Sequence, residues 1–301
     1  MLSFKIIDSD NRDEVIDLIT LGIEDVDLEY IDEIVDSLLE DTDLEYALAI
    51  SNGCLLIRVF DSEYSFIYPV AVCQGAEESA AAYSIREYAV KQEIPLVYTD
   101  IPAEEIGNIA PLFRHVSIDA QDEGGESYLL RVMSEVMLLE ELPSVEMDSV
   151  TLDALCEGDD EAYARLCRDE ETNKFWGYDY SCDNDDPEDS YFREMAENEL
   201  DRGVALALAV RHNGRLVGEA ALYSFDLLGG CECAVRILPE YRGRGFAKAS
   251  IAGLREICAK MGTLNLYATV DNRNVASTSL FTKCFGKGVE SGEKTNFHIK
   301  M

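Results

Sequence analysis

Two passages with similar hydrophobic patterns occur along the chain, one in each half. Residues 47–56 (ALAISNGCLL) and 207–217 (ALAVRHNGRLV) each carry an apolar run, an Asn-Gly step and a second apolar run. Asn-Gly readily adopts the positive φ angles that a tight hairpin turn requires. The pattern therefore predicts one β-hairpin near the middle of each half.

The elements that follow the two hairpins have the same order. Alternating apolar positions predict strands, and apolar positions three or four residues apart predict helices. In the first half the predicted strands are 64–72, 95–101, 115–120 and 127–133, and the predicted helices are 77–92 and 102–113. In the second half the predicted strands are 231–238, 264–270 and 294–300, and the predicted helices are 159–169, 246–261 and 275–283.

Both halves thus read β-β-β-α-β-α-β, which predicts an α/β fold of the α+β type, with a central mixed β-sheet flanked by helices. The repeated order indicates a diverged duplication. We predict two tandem domains, residues 1–143 and residues 144–301, with the link near 142–145.

Composition excludes some partners and permits others. Of the 301 residues 47% are hydrophobic, which is enough to fill folded cores, and 60 acidic against 25 basic residues give a net charge of −35. This charge disfavours nucleic acid and anionic membrane surfaces, because both are polyanions. It favours a cationic partner.

Targeting signals and metal-binding patterns are not found in the sequence. No apolar run is long enough to span a membrane, and the N-terminal residues become acidic at once, so we expect a cytoplasmic protein. The nine cysteines include no C-x-x-C pair. We therefore interpret the closest two, Cys231 and Cys233, as buried thiols and predict no metal site.

An acidic stretch follows the helix predicted at 159–169. Residues 175–192 include the only tryptophan, Trp176, and a group of carboxylates, Asp183, Asp185, Asp186, Glu188 and Asp189. Clustered carboxylates repel one another, which predicts a solvated, mobile loop. The same charges could instead attract a cationic amine.

One passage is basic within this acidic chain. Residues 236–260 hold six basic and two acidic side chains, and their centre reads Pro239-Glu-Tyr-Arg-Gly-Arg-Gly245 between a predicted strand and a predicted helix. Two glycines before a helix let several backbone N–H groups point at one spot, where the helix N-terminus adds partial positive charge. The passage predicts a phosphate or pyrophosphate site. It lacks both the P-loop pattern and the complete G-x-G-x-x-G of dinucleotide-binding folds.

The run from Ile237 to Ala247 resembles the [Q/R]-x-x-G-x-[G/A] signature of the GNAT superfamily of acyl-CoA-dependent N-acetyltransferases. A second motif of that family, N-x-x-S before an apolar-aromatic pair, matches Asn274 to Phe281. The resemblance covers about 146–301. Glu232, seven residues before Pro239, and the run 172–176 are similar to the branch that acetylates ribosomal-protein N-termini and polyamines.

The resemblance implies that acetyl-CoA binds, as acyl donor, where two parallel strands separate. It implies donor contacts at Ile237, Leu238, Arg242, Gly243, Arg244, Gly245, Phe246, Ala247, Lys248, Asn274 and Ser277. An amine then attacks the thioester directly in a ternary complex, so no cysteine nucleophile is needed. The acceptor would be a small cationic amine or a protein N-terminus, and the protein a monomer or homodimer.

Proton transfer leaves more than one assignment open. Glu232 is the first candidate for the general base and Glu219 the second. Many family members have a tyrosine as general acid where this chain has Phe281, so Tyr223, Tyr267 or water would have to replace it, or the thiolate leaves unaided. This departure leaves a catalytically impaired CoA-binding sensor or scaffold as the alternative function, and a protein-interaction module as a third.

The first half lacks the glycine signature. Residues 73–79 (CQGAEES) occupy the corresponding turn, where two adjacent glutamates would repel a pyrophosphate. We therefore predict that the first half does not bind CoA and instead supports the second half or shapes the amine site.

Overall fold

The computed structural model describes residues 3–6, 45–51, 54–60, 65–72, 94–104, 106–120, 124–125, 127–176 and 187–301, with single helical positions at 12–13, 16–17, 32–33, 35–36, 86 and 89. The chain divides into two compact units, residues 1–134 with 226–228, and residues 135–225 with 229–301. Val136, which precedes the boundary predicted at 143–144, lies in the core of the second unit.

The first unit contains a mixed sheet. Its strands are β1 (Ser3–Ile6), β2 (Glu45–Ser51), β3 (Cys54–Phe60), β4 (Ser65–Val72), β5 (Leu96–Pro102), β6 (His115–Ala120) and β7 (Ser127–Met133). Their order across the sheet is β1-β2-β3-β4-β5-β7-β6, and only the β4–β5 pair is parallel among these described strands. Ser51 pairs with Cys54 across the Asn-Gly step, which confirms the first predicted hairpin.

The helix predicted at 102–113 is shorter than expected. Pro102 is still part of β5 and pairs with Ser127, and helix α1 covers only Ile106–Ile109. A 3-10 turn, Ala110–Leu112, follows because Pro111 cannot donate the next helical hydrogen bond. For the helix predicted at 77–92, positions 86 and 89 are helical and the rest lies outside the described residues.

The second unit contains the larger sheet. Its strands are β8 (Val145–Glu146), β9 (Thr151–Asp153), β10 (Ala205–His212), β11 (Arg215–Tyr223), β12 (Gly230–Ile237), β13 (Asn265–Asp271), β14 (Val289–Ser291) and β15 (Lys294–Lys300). Its helices are α2 (Asp160–Arg168), α3 (Glu170–Asn173), α4 (Asp189–Asp201), α5 (Phe246–Met261) and α6 (Val275–Phe285). The turn of the second hairpin has positive φ at Asn213 and Gly214, as its sequence predicts.

The two sheets have the same strand order. From β9 the second sheet runs β9-β10-β11-β12-β13-β15-β14, which matches β1-β2-β3-β4-β5-β7-β6 strand for strand. The directions also match, because β12–β13 is the parallel pair of the second sheet and its neighbours are antiparallel.

Helices cover both faces of the second sheet. On one face α5 and α6 contribute Phe246, Leu254 and Phe281 to a core with inward residues of β10 to β13. On the other face Tyr163 of α2 and Phe192 of α4 form a second cluster. The α/β prediction is confirmed. No helix among the described residues is both long and apolar enough to cross a bilayer.

The acidic stretch predicted to be a loop over 175–192 is partly helical. Helix α4 begins at Asp189 and buries Phe192, which is 2% exposed, so a loop can extend no further than Glu188. The burial of one apolar residue per turn outweighs the repulsion between the carboxylates around it. Asp183, Asp185 and Asp186 lie outside the described residues.

Candidate functional site

A turn with two left-handed glycines leads into helix α5. Gly243 has φ +73° and Gly245 has φ +85°, which L-residues rarely adopt. A Cβ at either position would meet no atom within 4 Å. The turn therefore requires glycine for its backbone conformation and not for space.

The backbone amides of this turn have no acceptor within the part of the chain that the structure describes. Among the described residues none of the amides of 243–248 donates to a carbonyl or side chain, and the first helical bond runs from the Ala249 amide to the Gly245 carbonyl, at 3.1 Å. Six consecutive donors at the N-terminus of a 16-residue helix form an anion-binding concavity. We refer to residues 242–248 as the glycine loop.

A side chain from α3 and the residue that caps this helix hold the glycine loop. The Arg242 guanidinium donates to the Ile237 carbonyl, at 3.0 Å, and to the Thr172 hydroxyl. The Thr172 hydroxyl and amide in turn bond Asp169, which holds the pKa of that carboxyl below its usual value. Arg242 is thus placed to fix the loop and is turned toward the protein.

The remaining charged groups of the loop differ in their surroundings. Arg244 donates to the Glu240 carbonyl at 3.1 Å, and the Glu240 carboxylate pairs with Arg165 at 2.7 Å. Lys248 is exposed and, among the described residues, has no carboxylate within ion-pair distance. Glu240 is therefore paired with a cation of its own, and Lys248 stays available next to the loop.

Strands β12 and β13 separate next to this loop. Their parallel pairing covers three positions and ends where Glu232 faces Tyr267. Beyond that row β12 continues to Ile237 along β11, and β13 continues to Asp271 along β15. The facing edges of the two strands thus open a gap toward the glycine loop.

A row of polar side chains crosses the sheet where the gap begins. Tyr223, Glu232, Tyr267 and His298 are successive register partners on β11, β12, β13 and β15, and therefore share one face. The Tyr223 hydroxyl lies 3.3 Å from a carboxylate oxygen of Glu232, and the Tyr267 and His298 rings stack at 4.8 Å. We call this set the apex row.

Glu219 lies on the same face but is already paired. Its carboxylate accepts from Arg236 at 2.7 Å, and both side chains are nearly fully buried, 4% and 2% exposed. Arg236 also donates to Asn173 of α3, and its guanidinium lies 4.4 Å from the centre of the Trp176 ring. Of the two candidate bases, only Glu232 lies in the apex row.

The second sequence motif forms a helix cap. Asn274 precedes α6, and its side-chain oxygen accepts from the Ser277 amide at 3.1 Å. Phe281, where many members of the resembled family have a tyrosine, is 5% exposed and packs against Phe285 and Phe297.

The cysteines beside Glu232 face the opposite side of the strand. Cys231 and Cys233 are 1% and 2% exposed within the core, and burial raises the pKa of the Cys233 thiol. A buried thiol of raised pKa is a poor nucleophile. Among the described residues, no group of three His, Cys, Asp or Glu side chains could hold a metal ion.

Taken together, the anion-binding loop, the strand gap and the carboxylate where the gap begins are features that suit a group-transfer enzyme. Residues 149–285 match the family model of the acetyltransferase (GNAT) domain, a span from β9 to the end of α6 that includes the glycine loop and most of the apex row. The second unit therefore belongs to the GNAT acetyltransferases and is an acyltransferase.

Solved structures with similar folds include several acetyltransferases. Spermidine N-acetyltransferase from Vibrio cholerae, in complex with CoA and spermine, is 18% identical, with a TM-score of 0.44 over 50% of this chain and 95% of its own. PaiA N-acetyltransferase from Thermoplasma acidophilum, in complex with coenzyme A, is 20% identical, with a TM-score of 0.41. The match covers 51% of this chain and 99% of the PaiA chain. Mycobacterium smegmatis RimJ, in complex with CoA-disulfide, is 16% identical, with a TM-score of 0.43. The match covers 53% of this chain and 86% of the RimJ chain. No curated protein sequence matches the chain.

Sequence reasoning missed the contribution of α3. Thr172 and Asn173 are adjacent on this short helix. Thr172 accepts a hydrogen bond from Arg242 of the glycine loop, and Asn173 accepts one from Arg236 of β12. The run 172–176 carries the resemblance to one branch of the family, but only the folded chain places these two polar side chains against two arginines. His298 was also missed. The sequence around it gives no sign that its ring stacks on Tyr267 of another strand.

Proposed function

We propose that the second unit transfers the acetyl group of acetyl-CoA to a primary amine by direct attack in a ternary complex. The observation that carries this proposal is the line formed by the unpaired amides of 243–248, the gap between β12 and β13, and Glu232 where the gap begins. The amides would bind the pyrophosphate, and the gap would hold the pantetheine arm.

The dimensions of the gap support this donor. Along β12, five residue steps lead from Ile237 to Glu232, about 16 Å at the rise of a strand. The extended pantetheine arm spans about a dozen bonds from phosphate to sulfur, roughly 15 Å. A pyrophosphate at the glycine loop would therefore place the thioester beside the apex row. Ile237 and Leu238 would contact the arm on one side and Asn274 and Ser277 on the other.

Glu232 is the proposed general base. An amine is protonated at neutral pH and must lose a proton before it can attack the thioester carbon. Glu232 would accept that proton, with Tyr223 fixing the carboxylate through the 3.3 Å contact. Glu219 is a weaker candidate, because proton uptake there would break a buried ion pair with Arg236.

The proposed acceptor is a cationic amine, either a small molecule or a protein N-terminus. The net charge of −35 attracts cations to the surface, and Glu232 between two tyrosines suits an ammonium group at the reacting position. The spermine in the Vibrio cholerae structure makes a polyamine the first compound to test. The cytoplasm, and a monomer or homodimer, are the compartment and state that we infer from the sequence.

The first unit is proposed to be a duplicated domain that has lost catalysis. Its sheet repeats the strand order of the second, and its parallel strands β4 and β5 also pair only briefly, at Phe66 and Tyr98. Phe66 thus occupies the register position of Glu232, and phenylalanine accepts no proton. Together with the missing glycine signature, this supports a non-catalytic role.

The test is release of CoA thiol from acetyl-CoA in the presence of spermine, spermidine and short peptides with free N-termini, with binding of CoA followed by calorimetry. We expect turnover with at least one amine. Binding without turnover would favour the alternative, a CoA-binding sensor or scaffold, which the buried Phe281 supports. Absence of binding would overturn both.

A further inference from the structure

The leaving thiolate lacks a proton donor at the position where many relatives have one. Phe281 cannot donate, and its ring is packed between Phe285 and Phe297 in the core. An acid for this step, if the chain supplies one, has to come from the residues around the start of the strand gap.

Two tyrosines flank Glu232 in the apex row, and their surroundings differ. The Tyr223 hydroxyl is directed at the Glu232 carboxylate, so its proton is used in that hydrogen bond. Tyr267 belongs to β13, on the other side of the gap, and is the last residue to pair with β12. Neighbouring strands lie about 5 Å apart, so Tyr267 and Glu232 would both lie beside a thioester held between them.

The Tyr267 ring is held by its register partner on β15. The Tyr267 and His298 rings stack at 4.8 Å with 17° between their planes, and the Nε2 atom of His298 lies 2.9 Å from the Asn265 side-chain oxygen. Asn265 starts β13, two residues before Tyr267 on the same face. This stacking restricts rotation of the Tyr267 ring.

We propose that Tyr267 protonates the thiolate of CoA as it leaves, an inference that rests on the proposed acetyl transfer. The amine nitrogen forms a bond to the acetyl carbon, the carbon–sulfur bond breaks, and the electron pair of that bond stays on sulfur. The ammonium proton goes to Glu232, the nitrogen loses its second proton to water as the amide forms, and the phenol proton of Tyr267 goes to sulfur. The proton on Glu232 then passes to the Tyr267 phenolate, so both side chains return to their starting states.

The test compares two donors that differ in one atom. Replacing the sulfur of acetyl-CoA with selenium keeps every recognition group, but a selenolate is a much better leaving group and needs no proton. With acetyl-CoA we expect Tyr267→Phe to lower kcat about 10²-fold with little change in the KM for the donor. With the selenoester we expect wild type and Tyr267→Phe to differ by less than about threefold.

Tyr223→Phe is the matched control, since it removes a hydroxyl from the other side of Glu232. Its loss in kcat should be the same with both donors, because its contact is with the base. An equal loss with both donors for Tyr267→Phe, or no loss with acetyl-CoA, would overturn the assignment of Tyr267.

Two further readouts separate this proposal from other failures. A wild-type protein that binds CoA but acetylates no amine would contradict the proposed function and not the choice of acid. If Tyr267→Phe does not fold, shown by loss of the thermal shift with CoA, the wild type still decides. If the wild-type protein supplies a proton to the leaving group, its kcat should be nearly the same with acetyl-CoA and with the selenoester. A much higher kcat with the selenoester would overturn the proposal.

Discussion

At the scale of single residues, two glutamates on one face of the sheet have different contacts: Glu219 pairs with Arg236, and Glu232 lies 3.3 Å from the Tyr223 hydroxyl. Glu232→Gln should lower kcat by about 10²–10⁴-fold, since the amide cannot accept the ammonium proton. The unfolding midpoint should change little, because Glu232 is only half-buried. Steady-state kinetics and denaturant unfolding followed by Trp176 fluorescence measure both quantities.

Glu219→Gln is the matched comparison. It leaves the Arg236 charge, 2% exposed, without a carboxylate, which should cost about 3–5 kcal/mol of unfolding free energy. If Glu219→Gln proved stable but inactive and Glu232→Gln active, the two assignments would have to be exchanged.

A second buried ion pair makes stability depend on pH. Burial raises the pKa of Asp159, but hydrogen bonds from Arg211, at 2.6 and 2.7 Å, and from the Cys156 amide outweigh it, so the pKa is lowered from 3.8. A lowered folded-state pKa stabilises the fold above pH 3.8, and this contribution disappears as the pH falls through the folded value.

We therefore expect Arg211→Met to cost about 3 kcal/mol of unfolding free energy at pH 7 and clearly less at pH 3. Without the arginine, burial alone would raise the pKa of Asp159, and its protonation would relieve the penalty. Urea unfolding at both pH values checks this, and a pH-independent cost would contradict it.

At the scale of elements, helix α5 has a left-handed glycine at each end. Gly245, with φ +85°, begins it and Gly262, with φ +82°, ends it, so alanine should strain the two sites about equally, by roughly 1–2 kcal/mol. Only Gly245→Ala should weaken CoA binding, by about tenfold or more, because it redirects the amides of the glycine loop.

Calorimetry with CoA and thermal unfolding of both variants separate the two effects. Equal CoA affinity of the two variants would show that the conformation at Gly245 does not matter to the ligand.

The same scale shows what the sequence could predict. Helix α5 and strand β15 have the predicted bounds, since glycines or turns mark their ends. The glycine loop was predicted from its two glycines and basic side chains, whereas Glu232 was proposed only through the family resemblance. The short pairing of β12 with β13 was implied only by family resemblance. The hydrophobic pattern of a strand indicates which side chains lie on the same face of a sheet, but not where two neighbouring strands stop pairing. The contacts of α3 and His298 join residues far apart in the chain, which no local pattern specifies.

At the scale of the whole molecule, charge should influence the acceptor. A chain of net charge −35 attracts polyamines at low ionic strength, and salt screens this attraction over about 10 Å at 0.1 M. We expect the KM for spermine to rise by roughly threefold to tenfold between low and moderate salt. A monoamine of similar chain length should respond less, and an equal response of the two amines would argue against long-range attraction.

The early end of the pairing between β12 and β13 has a consequence for the life of the protein in a cell. Among the described residues, the pairing of β12 with β13 ends at Glu232 and Tyr267, so backbone hydrogen exchange should be fast beyond this row when no donor is bound. A bound donor completes the sheet and, at a hundredfold excess over its dissociation constant, adds about 2.7 kcal/mol to stability. Scarcity of the donor would then leave more of the protein open to proteases, so that its abundance follows the acyl-CoA supply.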